Sequence, residues 1–316
     1  MALSPDPVRG TAISMSADRN SALSGNGLAV ASMLAWAAGF PAAEVLLQSW
    51  SPVGLLAARL GLAVLVLLPI WLMLDGPSRI LRARWGWAMI VGAFGFGCPM
   101  FLLILAQKLT DPVTVVIIAS CAPLIATLLE LKAGTRRLSW NFGLGVLVSI
   151  IGGLIATSAV APAQLGLGAL CAVVSVVFFS WGSMTTARDF PELSQTGRAT
   201  ITLIGGFAMA VILCFAAGLL GMEVIPEVAI DGQQIGMLGI YALISLGLSQ
   251  ILFVASVGKL GVALASFHMN IAPFYVMLIM IVLGDEWNST RALGAGIVAV
   301  AVVLAQDRRP RSAQIG

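Results

Sequence analysis

HMNIAPFYVMLI, residues 268–279, aligns at an offset of 150 with IASCAPLIATLL, residues 118–129, placing Ala272 on Ala122 and Pro273 on Pro123. The same offset sets IYALISLGLSQILFVAS, from Ile240, on IVGAFGFGCPMFLLILA, from Ile90, so Gly247 meets Gly97 and Gln250 meets Met100. After a one-residue slip, ALGAGIVAVAVVLA lies on NFGLGVLVSIIGGLIA, and at an offset of 145 Trp181 of FSWGSMT falls on Trp36 of LAWAAGF. Self-similarity at one long period marks a duplicated unit, and it frames every shorter motif.

What is duplicated follows from composition. The 316 residues are 59% hydrophobic and 10% charged, with a mean hydropathy of +1.01, too apolar for a globule facing water on all sides. Runs near the ~20 apolar residues that cross a bilayer core recur at Gly25–Gln48, Pro52–Leu74, Trp85–Leu109, Pro112–Leu131, Asn141–Val160, Gly166–Arg188, Gly197–Met222, Ile235–Gly258, Val262–Gly284 and Thr290–Gln306. Unbroken runs of this length satisfy their backbone groups in lipid only as helices, and they lack the alternation of barrel strands. The expected fold is an all-α integral membrane protein of ten helices. Residues 1–24 and 307–316 read as polar tails, 25–160 as one five-helix repeat and 161–306 as the second.

Five is odd, so the second copy enters the membrane from the opposite side, and the repeats are inverted. The loop after the fourth run carries Lys132, Arg136 and Arg137, whereas its counterpart after the ninth carries Asp285 and Glu286. With both termini cytoplasmic, every Lys and Arg of the 17 lies inside except Lys108, Arg291 and the in-span Arg59. The net charge of +3 thus reports topology and gives no concentrated basic face for nucleic acid. Cys98, Cys121, Cys171 and Cys214 fall in separate runs without metal or disulfide spacing and read as small buried apolar residues. No cofactor or metal is expected.

Inverted repeats suit secondary transporters, because a site between related halves opens to either face when the halves exchange conformations. Ten helices in two repeats, the APL and APF prolines of the fourth and ninth runs, Trp36 and Trp181, and AARLGLA in the second run resemble the EamA family of the drug/metabolite transporter superfamily, most closely its bacterial YddG-type amino-acid exporters. The resemblance implies export of aromatic and other neutral amino acids through a central cavity. A proton-coupled exporter of cationic drugs is the alternative. The expected partners are a small neutral substrate and lipid, and the expected location is a bacterial inner membrane.

Site residues follow from the breaks. Proline removes a donor and frees a carbonyl about one turn earlier, which in the ninth run falls near Met269, beside His268 and Asn270, and in the fourth near Ala119, beside Ser120. Asn270 and Ser120 each lie about 12 Å from their helix starts, close to mid-membrane. His268, Asn270 and Tyr275 are therefore candidate polar contacts for a substrate; His268 could instead bond a neighbouring helix, or titrate and couple transport to protons. In GAFGFGCPM, residues 92–100, Gly95, Gly97 and Pro99 are candidate hinges with Pro123 and Pro273, and Phe94 and Met100 candidate pocket walls. Gln250 is expected as a buried mid-span amide and Trp36 and Trp181 as cavity rings. Trp50, Trp71, Trp85, Trp87, Trp140 and Trp287 sit at span ends and read as an interfacial belt. Glu44 and Arg59 lie at similar depths and are expected to pair, with proton coupling at Glu44 as the sharper option. An enzyme is disfavoured by the single histidine and by the lack of HExxH, CxxC or an in-span aspartate pair.

Overall fold

Prolines and short polar side chains set the helix starts. Ser51 accepts from the Gly54 amide at the start of Pro52–Arg82, Asp111 accepts from the amides of Val113 and Thr114, Ser194 from Gly197, and Asp231 from Gln234. Each cap uses a side-chain oxygen to satisfy an amide that has no partner within its helix. The computed structural model describes residues 23–132, 140–157, 162–226, 230–260 and 268–305. These form α1 (Leu23–Leu46), α2 (Pro52–Arg82), α3 (Trp85–Leu109), α4 (Pro112–Ala119 and Ala122–Lys132), α5 (Trp140–Thr157), α6 (Pro162–Asp189), α7 (Gln195–Leu219), α8 (Gly232–Gly239, Ile240–Leu248 and Ser249–Leu260), α9 (His268–Val282) and α10 (Ser289–Ala305). No strand occurs among the described residues. The expected tails and the loop with Arg136 and Arg137 lie outside them, apart from Leu23 and Ser24 at the start of α1.

Among the described residues six helices are long and apolar enough to cross a membrane: α1, α2, α3, the Gly166–Asp189 part of α6, α7, and Gly232–Phe253 of α8. Their outward surface is hydrocarbon, as at Ile212, Phe215 and Leu219 of α7 and Leu154 of α5, all exposed. That is the distribution a lipid solvent selects.

Several helices are interrupted. Ala93–Gly97 of α3 and Ile240–Leu248 of α8 are π-helical, and the sequence offset of 150 carries the first segment inside the second. The run expected over 112–131 is two pieces, because the chain turns at Ser120 and Cys121: the Cys121 amide bonds to Ile118, three residues back, before the helix resumes. At the matching place the described part of α9 opens with a 3-10 turn, His268–Ile271, and becomes α-helical at Ala272 with Pro273 in its first turn, where no amide donor is needed; the start of the expected ninth run, 262–267, lies outside the described residues. Pro99 likewise starts the α-helical part of α3 after the π segment.

In the packing, α3 lies against α6 and α7, α8 against α1 and α2, α2 against α7, α4 against α9, and α5 against α10. One apolar core joins α4, α9 and α10 through Val115, Val116, Ile117, Ala272, Val276 and Val298; a second joins α1, α2 and α8 through Leu46, Leu55, Leu56, Leu60 and Tyr241. The α3–α6 seam is backbone against backbone. A methyl group on Gly182 would strike the Gly95 Cα, and one on Gly95 would strike Gly182. Substituting Gly182→Ala should therefore push α3 and α6 apart and lower stability by about 1–3 kcal/mol. Thermal unfolding in detergent checks this against Gly143→Ala, whose added methyl meets nothing within 4 Å.

Candidate functional site

The first half of α4 packs on the α-helical part of α9. Asn270 stands at the α9 interruption, 3% exposed, and neither its amide nitrogen nor its amide oxygen has a hydrogen-bond partner. Such a group costs about 1–3 kcal/mol of uncompensated desolvation, and native proteins rarely tolerate it without a function. Three positions on, Pro273 cannot donate to the Met269 carbonyl, four residues before it, so the polar backbone and side chain coincide here. Trp36, Phe274, Tyr275, Ile118 and Cys121 pack against the surrounding core, with Trp36 edge-on to Phe40 at a 5.1 Å centroid separation.

The remaining expected residues divide. His268 is half-buried in the same 3-10 turn. The Ser120 hydroxyl is buried but donates to the Val116 carbonyl at 2.8 Å, so its proton is already used within its own helix. Trp181 lies beside Gly95 on the α3–α6 seam. Gly97 meets Gly206 of α7, and Pro99 offers its carbonyl to Ser175 of α6 at 2.7 Å, so these positions serve close packing as well as bending. The side chain of Pro123 lies outside the described residues.

Several expectations are corrected. Gln250 is exposed, not buried, because the nine-residue π segment before it turns its face of α8 outward; Ser249 beside it is buried and bonds back to Ser245. Phe94 is 53% exposed, and Met100 packs against the α1–α2–α8 core. Trp71 is fully buried and donates to Asp75 at 2.9 Å, a contact invisible to an interfacial-belt reading. Glu44 and Arg59 do not pair. Arg59 is 5% exposed and stacks on the Tyr241 ring at 3.8 Å with its Nε unpartnered, whereas Glu44 accepts from Gln107 at 3.4 Å. Equal depth along two helices had suggested the pair, but helical phase points the two side chains elsewhere.

Two features escaped the sequence reading. Gln107 of α3 donates to the Phe40 carbonyl at 2.6 Å, next to Pro41, which lacks an amide proton. Asp111 caps α4 and also accepts from both terminal nitrogens of Arg291 on α10, at 3.0 and 3.3 Å. The Asp-Pro pair at 111–112 is a helix-start signal that could have announced the cap; nothing local announces Arg291.

The arrangement is that of a multi-pass helical membrane protein with interrupted helices meeting inside the bundle. Residues 23–158, less than half of the chain, match the EamA-like transporter family. A solved structure described only as the crystal structure of a protein is 18% identical, with 89% of this chain and 96% of that chain covered and a TM-score of 0.65; this likeness shows the fold. No curated protein matches the chain.

Two outcomes follow from the geometry. Asn270→Leu should leave the melting temperature unchanged or raise it, since it removes an unsatisfied buried amide; calorimetry or fluorescence-monitored melting of the detergent-solubilised variant reads this. A double-mutant cycle on stability with Glu44→Gln and Arg59→Gln should give a coupling below about 0.5 kcal/mol, as for sites without a shared contact.

Proposed function

We propose that the chain is a secondary transporter that moves aromatic and other neutral amino acids, or closely related metabolites, by alternating access between two inverted five-helix repeats. One observation carries the reading: a buried amide with unused donor and acceptor sits in the 3-10 turn just before Pro273, on a helix that packs against the interrupted α4. A zwitterion needs both a hydrogen-bond acceptor and a donor when it leaves water, and Asn270 offers both. The rings of Trp36, Phe274 and Tyr275 around the same core suit an aromatic or large apolar side chain.

The repeat arrangement is supported by the packing. Exchanging α1–α5 with α6–α10 turns the α3–α6 contact into α8–α1 and α3–α7 into α8–α2, and returns α2–α7, α4–α9 and α5–α10 to themselves. The repeat-matched π segments and the matched interruptions before Ala122 and Ala272 obey the same exchange. In this reading the interruptions are where each half bends, His268 stands at the edge of the cavity, and the direction is export across a bacterial inner membrane with both termini cytoplasmic.

The experiment is uptake of labelled phenylalanine, leucine, glutamate and a cationic dye into proteoliposomes. Phenylalanine and leucine should exchange, glutamate should not, and Asn270→Leu should cut the exchange at least about tenfold, the equivalent of one lost buried hydrogen bond to a charged ligand group. Movement of the dye alone, driven only by a pH gradient and lost in Glu44→Gln, would replace this reading with a drug–proton antiporter centred on Glu44.

A further inference from the structure

At one end of the bundle, α2 does not stop where its membrane run stops. Gly76 adopts φ 75° and ψ 160°, a conformation in which a Cβ is strained, and the chain turns there before a last helical stretch from Pro77 to Arg82. That stretch and the turn after α6 enclose a recess of about 210 Å³ lined by Ser78, Arg79, Arg82, Ala83 and Glu192.

The walls are fixed from behind. The buried Asp75 carboxylate accepts from the Trp71 indole at 2.9 Å and from both the amide and hydroxyl of Ser194, at 3.1 and 3.0 Å. Trp85 donates to the Ile80 carbonyl at 2.8 Å, and Arg198 holds the Phe190 and Pro191 carbonyls at 2.7 and 3.0 Å. The two sides of the recess are thereby tied to α2 and α7. With one Asp75 oxygen engaged in three hydrogen bonds, Arg79 reaches the other only at 3.7 Å, and its side chain is 62% exposed. Arg82, one turn further on, is exposed on the same stretch. Around this polar recess the surface is hydrocarbon: Met73, Leu74 and Leu81 are each more than half exposed. Trp85 and Trp87 at the start of α3 mark the depth, since tryptophans holding polar partners at a span end sit in the headgroup layer.

A recess at headgroup depth with two arginines, one serine hydroxyl and a single opposing carboxylate has the charge pattern of a zwitterionic phosphoester. We propose that it binds the headgroup of a phosphatidylethanolamine-class lipid, with the phosphodiester against Arg79, Arg82 and Ser78 and the primary ammonium against Glu192. Arginine favours phosphate through its planar fork of donors, and the carboxylate selects a headgroup ending in hydrogen-bond donors over a quaternary amine. The acyl chains would lie along Met73, Leu74 and Leu81.

The test uses the full chain in detergent micelles doped with phosphatidylethanolamine, phosphatidylglycerol or phosphatidylcholine of the same acyl chains, reading melting temperature and the lipid retained in native mass spectrometry. Phosphatidylethanolamine should be retained at least about fivefold over phosphatidylcholine, the discrimination of roughly one partly exposed ionic contact, and should raise the melting temperature. The double variant Arg79→Gln/Arg82→Gln should lose that retention while melting normally without added lipid, and Glu192→Gln should bring phosphatidylethanolamine down to the level of phosphatidylglycerol. Equal retention of the three lipids, retention untouched by either variant, or an equal thermal shift with soluble phosphoethanolamine would each overturn the assignment.

Discussion

A peptide group inside hydrocarbon has no water to fall back on, and the whole architecture answers to that constraint. Long apolar runs become helices because the helix pairs its own donors and acceptors. Side chains of neighbouring helices add bonds to carbonyls near the irregular stretches: Gln107 donates to the Phe40 carbonyl beside Pro41, Ser175 to the Pro99 carbonyl, and Ser245 of α8 to the Trp36 carbonyl. The polar side chains of the spans are mostly consumed in this service. Against that background, Asn270 is informative because its amide is spent on nothing.

The two halves solve the same packing problem with different materials. Between α3, α6 and α7 the contact is glycine on glycine, Gly95 with Gly182, Gly92 with Gly205 and Gly97 with Gly206, so the backbones nearly touch. Between α8 and α2 a guanidinium stacked on a buried tyrosine fills the gap. Backbone seams rely on dispersion at close range and tolerate no added atom; a stacked cation holds through its charge against the ring face and can slide.

Much of the scaffold was legible because it rests on long-period patterns. The offset of 150 between the APL and APF segments located both interruptions, and it brought the glycine-rich 92–100 stretch into register with 242–250, where the second π segment lies. Asn270 was legible for the same reason, a polar residue next to a proline-marked break. What failed depended on azimuth around a helix. Gln250 was expected to be buried and is exposed, and a π segment, which advances the helix by an extra residue, rotates everything beyond it. The Glu44–Arg59 expectation failed on the same ground, since matched depth says nothing about which neighbour a side chain meets. Long-range polar contacts such as Asp111 with Arg291 depend on the tertiary arrangement, and no local pattern encodes them.

That Asp111 contact has a mechanical consequence. One carboxylate holds the first amides of α4, the hydroxyl of Thr114 at 2.6 Å and the guanidinium of α10. α10 in turn lies along α5 through a seam where Gly294 meets Ala156 and Gly152 meets Ile297. The Pro112–Ala119 half of α4 is therefore not a free arm hinged at Ser120 but the end of a lever whose other limb is the α5–α10 pair. Any tilt of that half is transmitted to the far edge of the molecule, and a load applied to α5 or α10 by the surrounding bilayer acts back on the interruption at its centre.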